Sequence, residues 1–359
     1  MLERSPTGAI AGRTALVSLR AQYGNLGDEV INALLIDRLS KECRVLVLAA
    51  GVPAGFLVEV RTRLSHPSRV QFIASGAGFA VRALGAAASG RRTWLFLAAG
   101  DVSGAGGRGR SRLLAALDRL PGLGLAQVGC SVSELSAGQA QLYRALAGRP
   151  HRLTVRDRRS ADVVGAAMPG IDVAPDLAFL LPHVRSSGQR MAVLTFRAAG
   201  GEEDERLLAR LRPLVGQLGA AGLSPLVTWQ VARDAPFCRA IAAELGVPVE
   251  DPGAERQSFD QAVRLYSRSA LVISNRLHAL LIGASRGAAP LALRRPDEQK
   301  IRGVFEGAGW MGLLSESAQT DGATLEHALG HAGPLVEGAF RTQGAALDDW
   351  FGGLWSDGR

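Results

Sequence analysis

The chain has 359 residues, of which 47% are hydrophobic and 21% charged, with a formal net charge of +8 and a pI of about 10.3. This length suits two domains of roughly 150–180 residues, and the composition is that of a globular protein. The basic balance is compatible with an anionic substrate, a membrane face or nucleic acid, but aromatic residues are few and do not interleave with the basic ones, which argues against nucleic acid.

The spacing of the cysteines predicts neither a zinc site nor a disulfide framework, and the apolar runs predict no membrane span. Cys43, Cys130 and Cys238 lie far apart and form no Cys-x-x-Cys pair. The first residues lack a basic segment followed by an apolar one, and no apolar run reaches the roughly 18–20 residues of a span. We therefore expect no metal, no cofactor and a cytoplasmic protein, which could contact the anionic inner membrane face peripherally.

Apolar runs alternate with helical patterns in the first half of the chain. Strands are predicted at residues 14–19, 44–49, 70–73, 93–98, 123–128 and 152–155, and the first helix at 29–39. Continuous apolar strands separated by helices indicate a parallel sheet that is covered on both faces.

A linker-like stretch at 182–188 interrupts this alternation, which then resumes. Strands are predicted at 191–195, 225–228 and 271–274, and helices at 205–218 and from 237. The fold class is therefore α/β, with two Rossmann-like domains at 1–183 and 189–359 and a central cleft, and ligands are expected at the carboxyl ends of the strands. The tail after residue 314 has a helical pattern, and its aromatic residues Trp350, Phe351 and Trp355 are expected to pack on the body of the protein.

The segment 274–283, Ser-Asn-Arg-Leu-His-Ala-Leu-Leu-Ile-Gly, is the most informative stretch. It follows an apolar run and opens a helical pattern, so that Arg276 and His278 are expected at a helix N-terminus. Backbone N–H groups and the helix dipole favour an anion there, Arg offers a two-pronged contact, and His moves a proton near neutral pH. The alternative is a capped helix whose His is satisfied by a neighbour.

Four further motifs stand in a fixed order around this segment. They are Tyr-Gly-Asn-Leu-Gly-Asp-Glu at 23–29, Val-Arg-Asp-Arg-Arg-Ser at 155–160, Ala-Pro-Asp-Leu-Ala-Phe at 174–179 and Arg-Arg-Pro-Asp-Glu-Gln-Lys at 294–300. The ordered set, over roughly residues 14–310, resembles the polysaccharide pyruvyltransferase family. That family joins an N-x-G-D-E turn to an N-R-x-H helix start and a D-x-x-K loop.

The resemblance implies a GT-B-like pair of domains and transfer of a pyruvyl group from phosphoenolpyruvate to a sugar diol of a glycan or lipid-linked precursor. The donor carries a carboxylate and a phosphate, so its pocket needs cations and helix N-termini. The candidates for donor binding are Arg276, Lys300 and Arg156, with Arg197 a weaker one. His278 would contact phosphate or protonate the donor. An N-cap by Asp157 beside a solvated Arg156 is the competing interpretation of the 155–160 motif.

The first strand–helix turn supplies the candidates for the acceptor side. Asn25 and Gly27 would bind sugar hydroxyls, and Asp28 or Glu29 would act as base, although capping of the helix alone would also explain Asp28. The family's Gly-Gly-Gly stretch is altered here to Ala-Ala-Gly-Asp at 98–101, so Asp101 is either a further sugar ligand or a turn residue.

Three hypotheses about function remain. Besides the pyruvyltransferase, the chain could be a nucleotide-sugar-dependent glycosyltransferase of the same fold, which would need a nucleotide site. It could also be a non-catalytic descendant that binds glycan, a hypothesis that the altered glycine stretch keeps open.

The acidic run at 202–205 is interpreted as the first turn of a helix rather than as a metal site.

Overall fold

The computed structural model describes residues 12–19, 21–89, 92–97, 99–101, 123–147, 151–184, 189–253, 257–294 and 298–356. They divide into two compact units. Unit 1 takes the described residues of Met1–Tyr23, Asp28–Leu177 and Ala346–Arg359, and unit 2 takes those of Gly24–Gly27 and Ala178–Ala345.

Unit 1 is built on a parallel sheet of seven strands in the order β3-β2-β1-β4-β6-β8-β9, and a separate parallel pair joins β5 to β7. In chain order its elements are β1 (Arg13–Ser18), α1 (Leu26–Ser40), β2 (Arg44–Leu48), α2 (Ala54–Thr62), β3 (Val70–Ile73), α3 (Gly76–Ala88), β4 (Arg92–Phe96), β5 (Gly100–Asp101), β6 (Leu123–Gln127), β7 (Cys130–Ser131), α4 (Ala137–Leu146), β8 (His151–Val155), α5 (Arg158–Gly165) and β9 (Asp172–Val173).

The central strands of unit 1 are apolar along their length because helices cover both faces of the sheet. On one face a single core joins Leu16, Leu46, Leu95 and Leu125 to Phe79 of α3. Every strand predicted in this half is present within one or two residues of its expected bounds.

The first helix of the chain begins earlier than predicted, at Leu26 instead of residue 29. The reason is that Asn25 accepts a hydrogen bond at 3.1 Å from the backbone N–H of Gly27, which closes the first turn. The alternative role of Asp28 as N-cap is therefore wrong, because Asp28 already lies inside the first turn.

Unit 2 is built on a second parallel sheet, of five strands in the order β11-β10-β12-β13-β14. In chain order its elements are β10 (Met191–Thr195), α6 (Glu202–Ala220), β11 (Ser224–Val227), α7 (Ala235–Leu245), α8 (Phe259–Tyr266), β12 (Ser269–Ser274), α9 (Leu277–Ser285), β13 (Ala289–Leu293), α10 (Gln299–Ala308), β14 (Leu314–Ser315) and α11 (Ala318–Ser356). Two parallel sheets with intervening helices confirm the prediction of two Rossmann-like domains.

The C-terminal tail is one helix, α11, whose last residues belong to unit 1. In unit 1 the side chain of Arg92 donates to the carbonyl of Trp355 at 2.8 Å, and the indole N–H of Trp94 donates to Leu354 at 3.1 Å. Trp350, Phe351 and Trp355 are buried, as expected. The sequence interpretation assigned the whole tail to the second domain, whereas Ala346–Arg359 belong to unit 1. The difference arises because contacts between residues this far apart in the chain leave no local sequence pattern.

None of the described helices is both long enough and apolar enough to cross a membrane.

Candidate functional site

The carboxyl edge of the unit 2 sheet brings together several of the predicted residues. Arg197 follows β10, the segment Asn275–His278 runs from the end of β12 into α9, and Lys300 lies in the first turn of α10, after β13. Because the carboxyl ends of parallel strands meet at one edge of a sheet, these side chains belong to the edge where ligands of α/β proteins bind.

Asn275 connects two of these strand ends. Its side-chain oxygen accepts from the backbone N–H of Arg197 at 2.7 Å, and its side-chain nitrogen donates to the carbonyl of Arg197 at 2.9 Å. The preceding Ser274 donates to Thr195 O at 2.5 Å and accepts from Arg276 N at 2.8 Å. The sequence pattern alone gave no role to Asn275, although a side chain that can both donate and accept hydrogen bonds at a strand end is a signal for such a bridge.

Arg197 itself is exposed, and its guanidinium forms no hydrogen bond or ion pair with any residue that the structure describes. Its backbone is held on both sides, whereas its charge is uncompensated. An arginine with these two properties at the carboxyl edge of a sheet is suited to hold an anion from solution.

Arg276, by contrast, forms an ion pair with Asp234 inside unit 2. The side chain of Arg276 is 11% exposed and that of Asp234 is 3% exposed. Asp234 ends a short 3-10 turn, Ala232–Asp234, that runs into α7. The buried Nε of Arg276 has no hydrogen-bond partner among the described residues. Its predicted role in donor binding stays a prediction, and the structure shows that its charge is already compensated.

Cys238 lies beside this pair, and burial raises the pKa of its thiol to about 12. It donates a weak hydrogen bond to the carbonyl of Phe196 at 3.4 Å. A thiol in this environment is not a nucleophile near neutral pH.

His278 is partly exposed in the first turn of α9 and packs against Gly27. Both residues belong to unit 2. A Cβ atom at position 27 would lie 2.2 Å from Nδ1 and 2.6 Å from Cβ of His278, so only glycine fits there. The structure thus places Gly27 of the first motif against His278 of the N-R-x-H motif, although the two residues are far apart in the sequence.

Lys300 is the second residue of α10, where Glu298 caps the helix by accepting from Lys300 N at 3.1 Å. The lysine is partly buried. Asn25 is also partly buried, and its side-chain oxygen caps α1. Donor binding by Lys300 and acceptor binding by Asn25 stay predictions.

The two carboxylates of the first motif differ in unit 1. Glu29 is fully buried and pairs with Arg63, which also contacts Glu59 at 2.9 Å. Asp28 is partly exposed and accepts from Gln22 N at 2.9 Å. Of the two candidates for a base, Asp28 is therefore the one that solvent reaches, and burial argues against Glu29.

The altered glycine stretch keeps one glycine next to Asp28. Gly100 has a φ of 95°, which requires glycine, and a Cβ there would lie 3.6 Å from Oδ1 of Asp28. Asp101 lies in the short strand β5, paired with β7, rather than in a turn. Its side chain, its proposed contact with sugar and residues 102–110 lie outside the described structure.

Arg156 lies in a buried network of unit 1. It donates to Asp176 at 2.7 Å and to Ser131 Oγ at 2.6 Å. Burial acts to lower the pKa of Arg156, but the carboxylates of Asp176 and Asp157 raise it above its ordinary value. Asp157 caps α5, as the competing interpretation held, but the solvated Arg156 of that interpretation is wrong. Its predicted donor role stays untested.

The acidic run at 202–205 forms the first turn of α6, as interpreted from the sequence. Asp204 accepts from the backbone N–H groups of Ala199 and Gly200 at 2.8 and 3.1 Å, so it stabilises the loop that carries Arg197. Within the described parts of the chain, no group of three or more His, Cys, Asp or Glu could hold a metal ion.

Residues 25–294 match the model of a family described as polysaccharide pyruvyl transferase. No curated protein matches the chain in sequence.

Solved structures show the same fold at low sequence identity. HepE from Anabaena, in complex with UDP and glucose, has a TM-score of 0.57 and 11% identity over 95% of this chain and 96% of that one. A UDP-GlcNAc 2-epimerase from Neisseria meningitidis has a TM-score of 0.54 and 11% identity over 94% and 99% of the two chains. A glycosyltransferase from Rickettsia africae also has a TM-score of 0.54 and 11% identity, over 94% of both chains. These likenesses confirm the GT-B-like fold class.

Proposed function

Because the chain belongs to the polysaccharide pyruvyl transferase family, we propose that it transfers a pyruvyl group from phosphoenolpyruvate to two hydroxyls of one sugar. The products are a cyclic ketal and phosphate. The acceptor in this proposal is a glycan or lipid-linked sugar precursor, and phosphoenolpyruvate serves as substrate without a cofactor.

One observation carries the proposal for the donor site, namely the rigidly held and uncompensated Arg197 beside the N-terminus of α9. The donor has a carboxylate and a phosphate, and an arginine fork and a helix N-terminus each bind such groups. Arg197 is therefore our first choice of donor ligand. Lys300 is the second, because a lysine ammonium can neutralise phosphate as it leaves.

The reaction needs a proton at the methylene carbon and removal of protons from two hydroxyls. In the proposal His278 gives its proton to the methylene carbon, and one hydroxyl oxygen bonds to the adjacent carbon. The second hydroxyl oxygen then bonds to that carbon as the bond to phosphate breaks. One hydroxyl proton restores His278. Asp28, the proposed base, takes the other proton and passes it to the departing phosphate, which leaves as hydrogen phosphate.

A thermal-shift assay beside a phosphate-release assay tests this proposal. Phosphoenolpyruvate should raise the melting temperature without acceptor, since a ligand that binds only the native state stabilises it by mass action. Phosphate should appear only when a suitable glycoside is added. The Arg197→Ala variant should lose the shift, whereas Arg212→Ala, which removes another exposed arginine of unit 2, should keep it.

Two results would replace the proposal. A shift with UDP-, GDP- or CMP-sugars and none with phosphoenolpyruvate would indicate a nucleotide-sugar glycosyltransferase. A shift with neither class of donor would indicate a non-catalytic glycan-binding protein.

The proposed donor is a cytoplasmic metabolite, which agrees with the expected cytoplasmic location. Peripheral contact with the anionic inner membrane face is part of the proposal only where the acceptor is linked to lipid.

A further inference from the structure

A cavity of about 380 Å³ opens at the carboxyl edge of the unit 2 sheet. Its wall includes Arg197 after β10, Asn275 after β12, Leu293 at the end of β13 and Glu316 after β14, and the first turns of α6 complete it. The cavity therefore touches the ends of four strands, and its volume falls in the range of roughly 300–1,000 Å³ that is typical of small-molecule sites.

The charges of the cavity wall balance. The wall contains three arginines and three carboxylates, which gives a formal net charge of zero; they are Arg197, Arg206, Arg210, Glu203, Asp204 and Glu316. Apart from Arg197, the wall has two arginines and three carboxylates, so a dianion or trianion gains nothing from the rest of the cavity.

Most of these charges are also paired with one another or with near neighbours. Arg206 contacts Glu203 at 2.6 Å, and Arg210 contacts Asp321 at 2.7 Å. Glu316 pairs with Arg294. Among the arginines of this wall, Arg197 is the one without a carboxylate partner in the described residues.

Paired arginines and carboxylates suit the hydroxyl groups of a sugar. Each hydroxyl both donates and accepts, so it can accept from a guanidinium and donate to the neighbouring carboxylate. The side chains of Leu207 and Leu293 add apolar surface for the C–H groups of a sugar ring.

We propose that this cavity binds a neutral sugar residue. Where the proposed function holds, that sugar belongs to the acceptor, and Arg197 at the rim holds the anionic donor beside it. The binding of sugar itself does not depend on the reaction.

Two exposed alanines of the wall allow the cavity to be filled without touching its charged groups. Ala209 lies on α6 and Ala318 begins α11. We would replace each by Trp separately. The matched controls are Ala220→Trp and Ala323→Trp, because these residues are exposed on the same helices and do not line the cavity.

The probes are methyl glycosides of glucose, galactose, mannose and N-acetylglucosamine, observed by saturation-transfer NMR. We expect a signal with at least one glycoside and a loss of affinity of about tenfold or more in both wall variants, the scale of about 1.4 kcal/mol. The control variants should bind as the wild type does. Affinity for phosphoenolpyruvate should remain within about twofold of wild type in all four variants, because none of them changes Arg197 or its hydrogen bonds with Asn275.

Several outcomes would overturn the inference. They are the absence of any glycoside signal with the wild type, unchanged sugar binding in two folded wall variants, and loss of phosphoenolpyruvate binding in place of sugar binding. Sugar binding that is lost in the wall variants of a protein that never binds phosphoenolpyruvate would support the cavity and refute the proposed function.

Discussion

The side-chain amide of Asn275 holds the backbone of Arg197 from both sides, accepting from its N–H at 2.7 Å and donating to its carbonyl at 2.9 Å. The two residues follow neighbouring strands, β12 and β10, that pair in parallel. The flexible arginine side chain thereby starts from a fixed backbone position, which would reduce the conformational freedom lost in the anion binding that we propose.

Replacing Asn275 by Ala should therefore weaken the binding of phosphoenolpyruvate through Arg197. Each lost hydrogen bond costs about 0.5–1.5 kcal/mol, so we expect an affinity loss of roughly tenfold by calorimetry. The double variant with Arg197→Ala should bind no worse than Arg197→Ala alone, because the two residues act as one unit. Additive losses would show that Asn275 acts by another route.

Replacing Gly27 by Ala should strain unit 2, because the added methyl would lie 2.2 Å from Nδ1 of His278. We expect a loss of about 1–3 kcal/mol in the free energy of unfolding, the scale of overpacking a filled site. Urea unfolding measures it, and adding His278→Ala should recover only part of the loss, because alanine keeps the Cβ atom that lies 2.6 Å from the added methyl. Gly24→Ala is the control, since nothing lies within 4 Å of a Cβ at position 24. Equal stability of the two alanine variants would contradict the packing described here.

Replacing Arg156 by Met should lower stability more than it lowers donor binding. The charge of Asp176 would be left buried without its partner, and breaking such a pair costs about 3–5 kcal/mol. Asp176→Asn should destabilise similarly, and the double variant Arg156→Met/Asp176→Leu should cost less than the sum of the single changes. A stable Arg156→Met protein that no longer binds phosphoenolpyruvate would instead support the predicted donor role.

The buried thiols predict how stability depends on pH in the alkaline range. Burial raises the pKa of Cys43 and of Cys238 to about 12 from an ordinary value near 9. Between these values the native state holds protons that the unfolded state has lost, so stability falls as pH rises from about 9 towards 12. Urea midpoints between pH 8 and 10.5 should show this fall, and a Cys43→Ala/Cys238→Ala variant should show a smaller one.

Reaction with iodoacetamide at pH 8 checks the same environment independently. All three cysteines are buried, so the native protein should react slowly and the urea-unfolded protein quickly. Rapid modification of Cys43 or Cys238 in the native state would contradict the burial on which the predicted alkaline dependence rests.

The sequence by itself determined the class of fold, the two parallel sheets and the family. Strands that are buried on both faces must be apolar along their length, so runs such as those at 14–19 and 191–195 are visible locally. The order of the motifs added the family, and the carboxyl-edge rule placed Arg197, Asn275 and His278 at one edge of a sheet.

Only the tertiary structure decided which charges are compensated. Arg156 and Arg276 look as open as Arg197 in the sequence, but Asp176 and Asp234 meet them through folding. Likewise, the need for glycine at position 27 arises from His278. A buried charge must find a partner, and that partner comes from another element whose distance along the chain carries no local signal. The sequence thus indicated which residues could do the chemistry, whereas packing decided that Arg156 and Arg276 have carboxylate partners and that the guanidinium of Arg197 has none among the described residues.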